Sequence, residues 1–395
     1  MKVAFITSLN CGIPLFLLNE INYYTRHGLK ARIFFVMNHR GIYMPPPEWE
    51  KYYLDPKKAA LRQIVYFFRT PSLYIRLLHR ALKTRTLFEF LIAWDFAQHM
   101  GDCKRIHAFF ADHKLIIGHY CKKILGKPLP LSCSVYGYDV YIPKNKELIK
   151  QIYRETDFVV ATNPLFAKIL MEEFEVPKEK IMLARTVVDL VKYSNNTNHI
   201  PKDPKIAKEI EKVKGSFKIL VVARLVYRKG VHILLHALKK VIEQEKNVVL
   251  WVVGEGIEKA SLKKLAEKLG IEKHVIFFGA LSVENLLPLY QNCDLYCQPS
   301  ITDPSGDKEG FPVALSEAMA FEKVVIATKH ADIPSVVPEE FLVPEEDINA
   351  LARAIAHVIE MDKETRKCIG RKNREIAERE FSNKNYDMVI QKLMH

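Results

Sequence analysis

Phe217-Lys218-Ile219-Leu220-Val221-Val222-Ala223-Arg224-Leu225-Val226-Tyr227-Arg228-Lys229-Gly230 begins as an apolar run, turns basic, and leads into a helix-patterned stretch over Val231–Val241. An apolar run of strand length, a short turn and a helix make one repeat of a parallel α/β sheet, whose strands are buried on both faces. Further on, apolar runs at Val248–Val253, Val275–Phe278, Leu295–Gln298 and Val324–Thr328 are again separated by helical patterns. Before it, Val3–Thr7, Ala31–Val36, Arg105–Ala108, Leu131–Val135 and Phe158–Thr162 form a similar series. Between the two series the polar stretch Asn195-Asn196-Thr197-Asn198-His199-Ile200-Pro201-Lys202-Asp203-Pro204 reads as a linker. A chain of 395 residues is long for one core. The reading is α/β, with two doubly wound Rossmann-like domains at 1–190 and 200–380 facing across a cleft. Residues 381–395 read as a C-terminal helix after the break Phe381-Ser382-Asn383, crossing back to the first domain.

Composition narrows the class. Hydrophobic residues at 49% and charged residues at 27% exclude a disordered tail, a collagen-like array and a disulfide-dense mini-protein. The apolar runs fall short of the ~18–20 residues that span a bilayer. Met1-Lys2-Val3-Ala4-Phe5-Ile6 reads as a first strand and not as a signal peptide, so residence in the cytoplasm is expected. Seven cysteines scattered from Cys11 to Cys368 read as reduced, mostly buried thiols. Cys293 and Cys297 lack the second pair that a zinc site needs.

The net charge of +13 is localised: residues 1–150 carry 23 Lys and Arg against 10 Asp and Glu, and residues 151–395 carry 36 of each. The basic residues are densest within 51–100, where Lys51, Lys57, Lys58, Arg62, Arg69 and Arg76 are interleaved with Tyr52, Tyr53, Tyr66, Phe67, Phe68 and Tyr74. This pattern fits an anionic membrane surface at its inner face, with a solvated helix face as the plainer alternative. Nucleic acid is not expected as a partner, because no reading motif accompanies the charge.

The second half carries the chemistry. Arg224 and Lys229, leaving a strand end, can converge on one anion, the first as a fork and the second as a point charge, although taken alone the segment reads more simply as a solvated basic loop. Gly254-Glu255-Gly256 follows the next strand but lacks the third glycine of a dinucleotide fingerprint, so taken by itself it reads better as an ordinary strand-to-helix turn. Glu309-Gly310-Phe311-Pro312-Val313 opens a helix that contains Glu317, with Pro312 in its first turn and its free N–H groups available to a phosphate. Ser300-Ile301-Thr302-Asp303-Pro304-Ser305-Gly306-Asp307-Lys308 reads as a flexible lid or acceptor loop, or equally as a plain surface turn. Asp203, Asp303 and Asp307 do not form a metal motif, so neither a metal nor a cofactor is expected.

In order and spacing, Arg224, Lys229, the glycine turn and the Glu309-to-Glu317 element resemble the retaining glycosyltransferases of family 4, which have the GT-B fold. The form Ser305-Gly306-Asp307-Lys308-Glu309-Gly310 is most similar to exopolysaccharide members of colanic-acid type. The resemblance implies a metal-independent hexosyltransferase that moves a sugar, with retention, from a UDP- or GDP-type donor to a polysaccharide or lipid-linked acceptor. It implies that Arg224 and Lys229 hold the donor diphosphate, that Glu309 contacts the donor sugar and that Glu317 contacts the ribose. It also sets Gly12, Gly254, Gly256, Gly310, Phe311, Pro312 and Val313 along the donor.

The chain departs from the family pattern at several points. Tyr136 of Tyr136-Gly137-Tyr138-Asp139 stands where a histidine is usual, and Phe109 where many members have a second one. Tyr136, with an ordinary pKa near 10, is expected to position the donor sugar, and Asp139 to orient the loop. Glu322 replaces a usual glycine, and Ala331-Asp332 a usual Gly-Gly pair. A catalytically silent scaffold and a nucleotide-sugar epimerase of the same fold are the alternative readings.

Overall fold

The structure, a computed structural model, describes all 395 residues except Cys11, Glu245 and Lys246. It comprises two compact units, Met1–Val187 together with Lys384–His395, and Val188–Asn383.

The first unit runs β1 (Lys2–Leu9), α1 (Leu15–Arg26), β2 (Lys30–Asn38), β3 (Glu50–Tyr53), α2 (Pro56–Arg69), α3 (Pro71–Lys83) and α4 (Leu87–Ala97). It continues through β4 (Arg105–Phe109), α5 (His113–Leu125), β5 (Leu131–Val135), α6 (Tyr138–Tyr141), α7 (Lys146–Glu155), β6 (Phe158–Ala161), α8 (Pro164–Glu172) and β7 (Ile181–Leu183). The seven strands are parallel, in the order β3-β2-β1-β4-β5-β6-β7. Successive strand side chains point to opposite faces. Ala4, Ile6 and Phe34 accordingly enter one core with Phe90, Trp94 and Tyr120. Val3, Phe5, Ile33 and Phe35 enter the other core, with Tyr24 and with Tyr386, Val389 and Leu393 of the C-terminal segment. Burial on both faces is why these strands are apolar throughout.

The second unit runs α9 (Pro204–Lys212), β8 (Phe217–Val222), α10 (Val231–Gln244), β9 (Val248–Val253), α11 (Lys259–Lys268), β10 (Val275–Gly279) and α12 (Val283–Asn292). Then follow β11 (Leu295–Gln298), α13 (Val313–Ala320), β12 (Val324–Thr328), β13 (Leu342–Val343), α14 (Ile348–Glu360) and α15 (Lys363–Glu380). The sheet is again all parallel, in the order β10-β9-β8-β11-β12-β13. The last helix, α16 (Lys384–Met394), belongs to the first unit.

Two sequence expectations need correction. The stretch 195–204 is no free linker: Asn195 Nδ2 donates to the Phe321 carbonyl, His199 N–H to Gln291 Oε1 and Asp203 N–H to Asn285 Oδ1. These bonds tie the stretch to the second unit, of which it is part. The short strands β3, β7 and β13 were not expected; all three lie at sheet edges, where the continuous apolar signal fades. Five of the described cysteines are buried and free, Cys368 is exposed, and Cys11 lies outside the described residues. Among the described residues no helix is long and apolar enough to cross a membrane.

Each strand order reverses at one place, between β1 and β4 in the first sheet and between β8 and β11 in the second. Loops leaving the carboxyl ends of such neighbouring strands diverge and leave a crevice, where ligands of open α/β sheets bind.

Candidate functional site

In the second unit, the loop after β8 supplies Arg224, Arg228 and Lys229, and the loop after β11 supplies Asp307 and Glu309. The strand reversal therefore brings together residues about eighty apart in sequence. Lys229 Nζ lies 2.6 Å from Glu309 Oε1, and Arg228 Nε lies 3.3 Å from the same oxygen. Arg228 Nη1 is also 2.6 Å from Asp307 Oδ2. The Lys229 and Glu309 side chains retain only 13% and 8% of their exposure. Burial draws the Lys229 pKa below its ordinary value, against the pull of Glu309. Burial pushes the Glu309 carboxyl upward, but Lys229 and Arg228 more than offset it and hold it below the usual carboxylate range. Arg224 is exposed, makes no ion pair among the described residues, and adds to the depression of the Lys229 pKa. It is a cation available to an incoming anion.

The backbone of Glu309 is fixed from behind. Its N–H donates to His330 Nε2 at 3.0 Å, so His330 carries its proton on Nδ1 and donates it to Glu345 Oε1 at 2.7 Å. Glu345 Oε2 in turn accepts from the Thr302 N–H. With the Arg228–Asp307 pair, these bonds hold the loop expected as a flexible lid at both of its ends. Gly310, Phe311, Pro312 and Val313 follow directly; Pro312 stands at the N-cap of α13, one place before the first turn where it was expected. No side chain caps this helix, so its positive end is open to an anion.

Gly254 and Gly256 have a reason other than ligand approach. A Cβ on Gly254 would stand 1.8 Å from the Ala223 carbonyl oxygen, and one on Gly256 would stand 2.2 Å from that of Leu225. The two glycines let the turn after β9 lie against the loop that carries Arg224. Glu317, a turn and more into α13, is buried and accepts from Tyr290 Oη at 2.8 Å. Burial raises its pKa to about 7, against hydrogen bonds from Tyr290 and Tyr193.

The first unit presents a second cluster. Tyr136, directly after β5, donates through Oη to Glu20 Oε2 at 2.9 Å, and Tyr24 donates to Glu20 Oε1 at 2.7 Å. Burial raises the Glu20 pKa to about 7. The ordinary Tyr136 pKa expected from sequence is overturned: burial, reinforced by the charge of Glu20, drives it well above 10. Tyr136 is a hydrogen-bond donor here and not a base. Asp139 accepts the N–H groups of Ala111, Tyr136 and Gly137 at 2.8, 3.1 and 2.8 Å. It ties the loop after β4 to the loop after β5, and burial lifts its pKa to about 6. Gly12 lies after β1 with φ +76°, its N–H donating to the His39 carbonyl.

Arg228, Asp307, His330, Glu345, Glu20 and Tyr24 were missed from sequence. Arg228 and Asp307 had a local signal, their places beside Lys229 and just before Glu309; the others are recruited across sheet topology. Among the described residues no three His, Cys, Asp or Glu stand close enough to hold a metal ion.

Residues 202–375 match the family model described as glycosyl transferases group 1. The chain is 29% identical over 248 residues to a protein of Escherichia coli named as a colanic acid biosynthesis glycosyltransferase, WcaL, covering 62% of this chain and 58% of that one. It is 30% identical over 179 residues to the amylovoran biosynthesis glycosyltransferase AmsK of Erwinia amylovora, covering 45% and 41%. The chain thus spans less than two thirds of the length of these relatives. Over its whole length it is similar in fold to Anabaena HepE in complex with UDP, with a TM-score of 0.74, 20% identity and coverage of 100% and 99%. Sucrose-phosphate synthase from Thermosynechococcus elongatus gives a TM-score of 0.71 at 17% identity, covering 100% and 98%. The chain has the GT-B fold and carries a glycosyl transferases group 1 domain at residues 202–375, and the relatives it is similar to include exopolysaccharide-type glycosyltransferases.

Proposed function

We propose that this protein is a retaining, metal-independent hexosyltransferase that moves a sugar from a nucleotide-diphosphate donor to a polysaccharide or lipid-linked acceptor at the cytoplasmic face of a membrane. The observation that carries the reading is the buried Lys229–Glu309 pair beside the exposed Arg224 and the uncapped start of α13. Two cations and a helix N-terminus are what a departing diphosphate needs, because they are already oriented when its charge develops. Structures of Anabaena HepE in complex with UDP and with UDP-glucose lend weight to a uridine nucleotide as the first donor to test.

In this reading the bond between the sugar's anomeric carbon and the phosphate oxygen breaks as the acceptor oxygen bonds to the same face. The acceptor's proton passes to the departing phosphate oxygen, so no side-chain base is required. Arg224 and Lys229 stabilise the diphosphate, Glu309 orients the sugar and Glu317 holds the ribose. Tyr136, fixed by Glu20, donates a hydrogen bond.

A thermal-shift panel of UDP, GDP and their sugars tests donor binding; a ligand at 100 times its Kd stabilises by about 2.7 kcal/mol. Turnover with EDTA and NMR of the product's anomeric configuration test the rest. An inverted product, or activity lost to EDTA and restored by metal, refutes the corresponding part. Nucleotide binding without any transfer makes the chain a silent scaffold, and an epimerised donor makes it an epimerase.

A further inference from the structure

The first unit exposes an apolar face that neither of its cores covers. On α2, Leu61, Ile64, Val65 and Phe68 are 73%, 64%, 47% and 75% exposed. Their spacing of i, i+3, i+4 and i+7 sets them in one stripe along the helix. The opposite stripe, with Ala59 and Tyr66, is the buried one. An ordinary surface helix turns its apolar stripe inward and its polar side to water; α2 has an apolar stripe on each side. Ile75 and Leu82 of α3, and Leu87 and Phe88 at the start of α4, extend the exposed apolar surface.

The charge around it has one sign. From Pro56 to Phe88 the sequence holds eight Lys and Arg and no Asp or Glu. Arg62 is engaged by the buried Asp95 at 2.8 Å. Lys57, Lys58, Arg69, Arg76, Lys83 and Arg85 are exposed.

The partner must accept aliphatic and aromatic side chains in bulk while carrying negative charge. A second copy of this face would oppose cation to cation. Nucleic acid supplies the charge but has no place for Leu61, Ile64 and Val65. We propose that α2, α3 and the first turn of α4 form a membrane-inserting face. Its apolar stripe lies below the phosphates of an anionic leaflet, and its cations lie among them. This deepens the membrane-side reading above and rests on it only for the acceptor's location; vesicle binding requires no catalysis.

The test is co-sedimentation of the full chain with vesicles of phosphatidylcholine alone and of phosphatidylcholine with about 30% phosphatidylglycerol. Wild type is expected on the anionic vesicles. The pair Ile64→Ser and Phe68→Ser should lower partitioning at least about tenfold by removing inserted apolar surface. Arg76→Ser with Lys83→Ser should lower it to a similar extent at low salt and have little further effect at high salt. Because Trp49, Trp94 and Trp251 are all buried, Phe68→Trp provides a local probe whose emission shifts to the blue on vesicles if the stripe inserts. Unchanged emission, complete release of wild type by salt, or a wild-type dimer that Ile64→Ser/Phe68→Ser makes monomeric would each overturn insertion. UDP thermal shifts on the same proteins separate the two readings. A preserved shift with lost vesicle binding supports this face as a distinct surface. No shift in wild type counts against the donor site and leaves the vesicle result standing.

Discussion

The Lys229–Glu309 pair permits a prediction that ordinary active-site truncation does not. Both side chains are more than four-fifths buried and their charges are 2.6 Å apart. Removing one partner of a buried pair leaves an uncompensated charge and typically costs about 3–5 kcal/mol, whereas replacing both with apolar groups is often close to neutral. Here Arg228 stays 3.3 Å from Glu309, so the loss for Lys229→Met is put at about 2 kcal/mol. Glu309→Leu strands Lys229 without its carboxylate and is put at about 2–3 kcal/mol. The double variant should lose only about 1–2 kcal/mol in total, a coupling well above the few tenths expected of independent sites. At about 2–4 °C per kcal/mol, each single variant should lower the calorimetric transition of the second unit by roughly 4–12 °C, and the double variant by less than their combined shift. Donor turnover should fall about 100-fold or more in all three proteins, since each lacks a group the departing diphosphate or the sugar uses. Additive stability losses would show that the pair does not organise the site. Recovery of turnover in the double variant would show that the charges only hold each other and do no chemistry.

Arg224→Ala, at an exposed position, should change stability by less than about 0.5 kcal/mol while cutting donor turnover roughly 100-fold; unchanged kcat/KM would remove it from the site. Glu317 has a folded pKa of about 7 against an ordinary 4.5, so the folded state holds its proton more tightly. The stability this gives is full below pH 4.5 and is lost as pH rises through 7; Glu317→Gln should therefore gain about 3 kcal/mol on wild type between pH 4.5 and 8 in urea melts, and a flat difference would refute it. Tyr136→Phe should lose about tenfold in turnover while Tyr136→His keeps activity, and an undiminished rate in the Phe variant would take the hydroxyl out of the mechanism. Ala331→Gly should raise stability by up to about 1 kcal/mol by relieving a left-handed backbone; a lower melting temperature would show that the Ala331 side chain contributes packing that outweighs the strain.

The fold was legible wherever burial imposes a continuous apolar run. Val248–Val253, Leu295–Gln298 and Val324–Thr328 were placed to the residue, because central parallel strands are covered on both faces and hold little else. Three of the four edge strands escaped, β10 being the one that was read; Glu50-Lys51-Tyr52-Tyr53 is a strand by its pairing with β2, and its composition carries no continuous apolar signal. In the site, cations and carboxylates could be picked out by their positions after strands, but their partners could not. Nothing near Glu309 in sequence announces His330, 21 residues on, as the acceptor of its N–H. Nothing near Tyr136 announces Glu20, 116 residues away. Local chemistry names candidate groups, and only the strand order says which of them meet.

The departures from the family pattern are best judged by what the backbone does at them. Glu322 has φ +57° and Ala331 has φ +47°, both in the left-handed region that glycine occupies without strain. Glycine is the residue usual at both positions in the family the chain resembles. Holding a side chain in that region costs on the order of 1–2 kcal/mol for each left-handed residue. That conformation persists because its surroundings fix it. Glu322 N–H donates to the Met319 carbonyl at the end of α13, and Ile333 N–H donates to the His330 carbonyl across Ala331. His330 is the residue that holds the Glu309 backbone, so the turn at Ala331 and the placement of Glu309 are mechanically one feature. A strained turn that delivers His330 to Glu309 argues that the strain at Ala331 serves to position Glu309.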